Sequence, residues 1–130
     1  MEVPFYRCKQ LLEEILTSQG FTAEAENTSG LARSVKFTNG DIQVLWMYDL
    51  RDKLLLLKMD KKRKTVGSGY FYSVEQLQNE FLGKLEEMLH AQGFVIPEEN
   101  RQLVLDDLSS LQTKTDRKGF LARLFGGKSS

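Results

Sequence analysis

The residues able to do chemistry are few and far apart. Cys8 is the only cysteine and His90 the only histidine. A Cys–His nucleophile pair needs both groups within hydrogen-bond reach, and nothing around these two draws them together. Cys8 falls on the apolar stripe of a helix, where a thiol behaves as a small hydrophobe. His90 falls off the main stripe of its own helix and reads as a half-exposed surface residue. One thiol and one imidazole cannot build a Cys- or His-rich metal site within one chain. No metal and no cofactor is therefore expected. Asp49 and Asp52 flank a hairpin loop, while Asp106 and Asp107 are helix neighbours that point in different directions. Neither pair belongs to a motif for hydrolysis or for magnesium-held phosphate. Gly67-Ser68-Gly69 lacks the lysine and the following helix of a phosphate loop. The expected catalytic set is empty.

A second group of residues suggests binding. Lys58, Lys61, Lys62, Arg63 and Lys64 cluster near Tyr70, Phe71 and Tyr72. Positive charge beside aromatic rings holds single-stranded nucleic acid by phosphate contact and stacking. The plainer reading is a solvated hairpin tip with the aromatics packed in the sheet. An acidic protein or membrane surface is a third. Basic and acidic residues number 18 each and cancel, which argues against a dedicated nucleic-acid binder.

The third group is the tail. On a helical projection Phe120, Leu121, Leu124 and Phe125 share a broad apolar arc. Arg123 lies across from it, and Lys118 sits at its edge, where a long side chain snorkels. Residues 114–128 hold five basic side chains against Asp116 alone, a net charge of +4. A short segment containing Gly119 is marginally helical in water. A bilayer interface supplies the missing stability by burying the apolar face and attracting the basic one.

Lys118-Gly119-Phe120-Leu121, with Arg123-Leu124-Phe125-Gly126-Gly127, resembles the C-terminal membrane-targeting helix of the MinD family of bacterial division-site ATPases. The resemblance implies a bacterial protein attached reversibly to the inner leaflet. It departs from the family at Ala122, where the tail is commonly basic, and this should weaken lipid attraction. Residues 1–117 show no likeness to that ATPase, so no shared catalytic function is implied. Other fates stay open for the tail: folding back onto the body, docking to a protein, or a frayed end without function.

Periodicity places these groups on elements. Cys8, Leu11, Leu12, Ile15 and Leu16 recur at helical spacing, and Gly20 suits the stop of a helix over 5–19. Residues 21–26 and 31–37 alternate as strands around an NTSG turn. Asn39-Gly40 predicts a two-residue hairpin with Phe37 opposite Ile42 and Val35 opposite Val44. Residues 53–59 are apolar on both faces, and residues 67–72 read as a short last strand. Ser73 opens a second helix with Gln76 at the capping-box position. A third helix over 98–112 carries Leu103, Leu105, Leu108 and Leu111.

The expected fold is α+β, an antiparallel sheet of about four strands with helices packed on it. The order is α-β-β-β-β-α-α plus a tail. Residues 1–112 form one domain, 113–117 a linker, and 118–130 the basic amphipathic tail. Leu45, Met47, Leu54 and Leu56 break the alternation that a one-sided sheet should show. They are expected to form a second apolar face, covered by the helix over 98–112 or by a partner in a homodimer. The N-terminus does not read as a signal peptide, and no apolar run is long enough to span a bilayer. The expected location is cytoplasmic, peripheral at the inner face of the membrane. The expected function is a non-catalytic adaptor or regulator that docks a membrane surface or a protein through its tail. A small enzyme or ligand-binding module near Trp46, Tyr48 and Tyr70, and a weak nucleic-acid binder using the basic hairpin, are the alternatives.

Overall fold

A computed structural model describes residues 1–111. In chain order the elements are α1 (Glu2–Ser18), β1 (Thr22–Ala23), β2 (Asn27–Ser29), β3 (Ala32–Asn39), β4 (Ile42–Asp49), β5 (Leu54–Lys61), β6 (Lys64–Phe71), α2 (Val74–Ala91) and α3 (Glu98–Ser109). The fold is α+β. Strands β3 to β6 form an antiparallel meander, and β1 and β2 both pair with β3 as successive pieces of one broken edge. The sheet thus has six strand segments in five rows, more than the four or so expected. The NTSG stretch is not a turn throughout, since Asn27–Ser29 pairs with β3 and only Gly30, at φ 59°, makes the reversal with Leu31.

The β3–β4 hairpin also corrects its predicted register. Asn39 pairs with Ile42, Phe37 with Val44 and Val35 with Trp46. The turn is centred on Gly40-Asp41, with a positive φ at the glycine and none at the aspartate. That is the glycine-first pattern of a II′ turn, whose twist suits a hairpin. The shift amounts to two residues in pairing. Because side chains alternate with period two, the same residues still face the core.

The core lies on one side of the sheet. Val35, Trp46 and Leu57 form one row with Gly69, and Phe37, Val44 and Met59 form the next with Gly67. Helix α1 buries Phe5, Cys8, Leu11, Leu12, Ile15 and Leu16 against this side. Trp46 is fully buried at the centre. Its ring stacks on Phe5 and meets Phe81 edge-on, and its Nε1–H donates to the Phe5 carbonyl at 2.9 Å.

Helix α2 begins as its sequence signal predicts. Ser73 Oγ accepts from the Gln76 N–H at 3.1 Å. The glutamine does not complete a reciprocal box. Its side chain instead accepts from Tyr72 N–H and donates to the Tyr70 carbonyl, both at 2.9 Å. It therefore satisfies backbone groups at the end of β6, an edge strand with no further neighbour in the sheet order.

Gly67 and Gly69 let α2 lie close on β6. A Cβ at Gly67 would fall 2.8 Å from Met88 Cγ, and one at Gly69 would fall 3.3 Å from Lys84 Cγ. The Gly-Ser-Gly stretch is thus a packing device. Gly67→Val should destabilise the fold by about 1–3 kcal/mol through overpacking, read as a lower midpoint in urea. An unchanged midpoint would show that α2 does not sit this close.

Helix α3 packs on α1 and α2 rather than on the far side of the sheet. Its buried stripe is Val104 and Leu108, continued by Leu111, while Leu103 and Leu105 are each 40% exposed. The predicted stripe is corrected by this. Leucines at 103 and 105 point too far apart on a helix to share one buried face with Leu108, and Val104 takes the inward place.

Candidate functional site

The side of the sheet turned away from the helices carries the expected second apolar face. Pairing aligns Leu45 beside Lys36 and Lys58, Met47 beside Ser34 and Leu56, and Asp49 beside Leu54. Tyr70 pairs with Leu56 and is 49% exposed. Leu45, Met47 and Leu54 are half-buried, and Leu56 keeps 9% of its surface. The four predicted residues are thus brought together. The helix over 98–112 does not cover this face, since α3 packs on α1 and α2 in the opposite layer. Lys36 and Tyr70 are members that sequence reasoning missed. Alternation alone sets their face, but that they stand beside Leu45 and Leu56 depends on register, which the short-range pattern leaves ambiguous by two residues.

Charge on this face is mixed. Asp49 Oδ1 is held in its own loop, accepting from the N–H groups of Arg51 at 3.0 Å and Asp52 at 3.2 Å. Asp60 accepts from Thr65 Oγ1 at 3.0 Å, and Lys58 Nζ stands 3.9 Å from it. The Asp49–Asp52 pair therefore shapes a turn.

At one end of the strands lies the basic hairpin. Lys61 pairs with Lys64, and Lys62-Arg63 makes the turn. All four are exposed. Both turn residues have positive φ, 53° and 68°, the requirement of a I′ turn that Asn-Gly meets with least strain. An open depression beside them is lined by Gly40, Asp41, Asp60, Lys62 and Arg63, so two carboxylates temper the cationic tip. Lys62→Asn combined with Arg63→Gly should stabilise the fold by roughly 1–2 kcal/mol, since each L-residue in this conformation costs about that order. A rise in melting temperature checks it, and a fall would show that the tip is held by its charges.

The opposite edge of the sheet is tied to α1 by a polar cluster. Tyr6 OH donates to Glu26 Oε2 at 2.8 Å, Lys9 Nζ donates to Glu26 Oε1 at 3.2 Å, and Arg33 bonds both Glu2 and the Tyr6 oxygen. Desolvation pushes the Glu26 carboxyl up, but hydrogen bonds from Tyr6 and Lys9 and the charges of Lys9 and Arg33 outweigh it and hold the carboxyl below its ordinary range. A depressed carboxylate stabilises the fold above its unfolded-state pKa and loses that contribution as pH falls through the folded value. The melting-temperature advantage over Glu26→Gln should therefore be full at neutral pH and vanish in acid. An advantage that persists below the carboxylate range would contradict the assignment.

The remaining candidates have structural places. Cys8 is fully buried, and burial drives its thiol far above the ordinary range, so it is protonated at neutral pH. His90 is exposed in the last turn of α2. Trp46 and Tyr48 point into the helix-covered core and Tyr70 to the other side, so these three do not line a common cleft. Among the described residues no cluster of three or more His, Cys, Asp or Glu side chains is placed to hold a metal ion. No helix among them is long and apolar enough to cross a membrane.

Lys118, Phe120, Leu121, Arg123, Leu124 and Phe125 lie outside the described residues, as does the 113–117 linker. The chain leaves the described region beside the N-terminal halves of α1 and α2. Arg7 Nη1 donates to Ser110 Oγ at 3.1 Å, and the Gln78 amide donates to the carbonyls of Leu108 and Leu111. Leu111 therefore lies at the end of the sheet away from the basic hairpin. No family model, curated protein or solved structure matches this chain.

Proposed function

We propose that the protein is a non-catalytic adaptor or regulator held at an anionic membrane surface by its basic amphipathic tail. The observation that carries this reading is the pattern of residues 114–128. A net +4 and an apolar arc of Phe120, Leu121, Leu124 and Phe125 follow a body, residues 1–111, whose own net charge is −4. The likeness to the MinD tail supports the same reading and, with it, a bacterial source and an inner-leaflet location. The body supplies a rigid carrier whose chemistry-bearing residues have structural work.

Co-sedimentation of the full chain with vesicles of phosphatidylcholine, with and without phosphatidylserine, tests the proposal. Binding only to the anionic vesicles, reversed by salt, is expected. A chain that stays in the supernatant at low salt overturns the reading.

A second reading has its own observation. Leu45, Met47, Leu54 and Leu56 form a face that no described element covers, and a contiguous exposed apolar patch commonly marks a protein interface. On this reading a second copy or another protein docks there. Sedimentation equilibrium at tens of micromolar reads it directly: a dimer is expected, and a monomeric mass removes the homodimer. Nucleic-acid binding by the hairpin is disfavoured by Asp41 and Asp60 beside the tip.

A further inference from the structure

The charge of the body is divided between its two layers. Helices α1, α2 and α3 hold eleven acidic side chains against four basic, a net −7, whereas residues 19–73, which make the sheet and its turns, hold nine basic against six acidic, a net +3. The molecule is polar through its thickness. The open face combines an apolar centre with Lys36, Lys58 and the exposed Tyr70. Its carboxylates are Glu24, exposed opposite Lys36, and Asp49 and Asp60, which are engaged by neighbouring donors. The surplus of positive charge on this side therefore comes from the Lys61–Lys64 hairpin. Apolar side chains, tyrosines and lysines together suit the headgroup region of a bilayer, where the ring and the ammonium keep a wet end.

The two basic ends add a geometric constraint. The described chain ends at Leu111 beside one end of the strands, and the Lys61–Lys64 hairpin stands at the other. Eight residues of strand separate them by roughly 26 Å. The stretch between Leu111 and Lys118 reaches at most about 25 Å, about the length of the strands, so attachment through the tail alone leaves the orientation of the body open. With the strands lying along the surface, the hairpin and one broad side of the body meet it together. Either broad side of the body can then face the lipid on geometry alone. Charge decides between them, because an anionic surface repels a layer of −7 and attracts one of +3 within a Debye length.

Resting on the membrane reading above, we infer that the open sheet face is the lipid-facing surface of the attached protein. Lys36, Lys58 and the hairpin contact headgroups, Leu45, Met47, Leu56 and Tyr70 sit at the interface, and the acidic helices look away. The tail holds the protein at the membrane and the sheet sets its orientation.

The test uses the full chain on phosphatidylcholine vesicles containing phosphatidylserine and bromine-labelled lipid. A fluorophore is placed on Tyr70→Cys or, separately, on Glu87→Cys in the helical layer, with the buried Cys8 replaced by Ala. A third label at Ser129→Cys reports attachment itself. Quenching at positions 129 and 70 but not at 87 is expected. Lys36→Glu with Lys58→Glu should weaken vesicle affinity about tenfold or more at low salt, from about 1 kcal/mol per basic residue near the surface. Failure of the tail label to quench defeats the membrane reading itself. Quenching at 129 without quenching at 70, quenching at 87, or a dimer on the vesicles that shields position 70 each overturns the orientation while leaving attachment intact.

Discussion

Leu124→Asp should release the protein from anionic vesicles while leaving the melting temperature of the body unchanged. A fully buried leucine side chain contributes roughly 1.5–3 kcal/mol. An interfacial helix buries only part of it and must be ordered as it binds. Native attachment is therefore modest, and one lost anchor removes much of it. The new carboxylate adds repulsion from the anionic surface, so affinity should fall by well over tenfold. Phe120→Asp should do the same. Arg123→Glu should weaken attachment chiefly at low salt, because its contribution is screened. The decisive comparison is between two readouts on one variant. Lost vesicle binding with an unchanged melting curve supports a tail that works outside the core. Unchanged binding with a lowered melting point would show that Leu124 packs on the body, and the membrane proposal would fall.

Trp46→Ala should be the most damaging single change in the described body. The ring is fully buried and touches Phe5, Phe71 and Phe81, joining α1, the sheet and α2. Truncation of a buried tryptophan costs about 3–5 kcal/mol through lost transfer energy and the cavity left behind. The Phe5 carbonyl also loses the Nε1–H donor. That is a large share of the 5–15 kcal/mol that holds a typical domain. Urea unfolding should show a collapse of the midpoint. The same variant separates the core assignment from a ligand pocket at the aromatics. A pocket residue would be lost with little change in stability, and that result would place Trp46 in a site instead of the core.

The two halves of this protein differ in what their local sequence could declare. The helical stripe of Cys8, Leu11, Leu12, Ile15 and Leu16, the Ser73 cap and the alternation of Val44, Trp46 and Tyr48 identify their elements without help from the rest of the chain. Each encodes burial at a fixed spacing, 3.6 residues or two, and burial of that stripe is the dominant favourable term. The doubled apolar pattern of Leu45, Met47, Leu54 and Leu56 likewise announced a second face, and the amphipathic spacing of the tail is a property of its residues alone.

Tertiary structure decided the rest. The hairpin turn sits at Gly40-Asp41 because two registers two residues apart satisfy the same alternation, and only the pairing of the whole sheet separates them. The edge that looked like one strand and a turn became β1 and β2, because the bend between them carries Glu26 to Tyr6 and Lys9 on a helix some twenty residues earlier. Val104 displaced Leu103 and Leu105 from the inside of α3, since which arc of a weakly amphipathic helix is buried depends on the two helices it meets. Gly67 and Gly69 took their meaning from Met88 and Lys84, far along the chain. The separation of an acidic helical layer from a basic sheet is also invisible to a net charge of zero. A sequence adds charges along a line, whereas the fold sorts them by side, and the side is what an approaching surface meets.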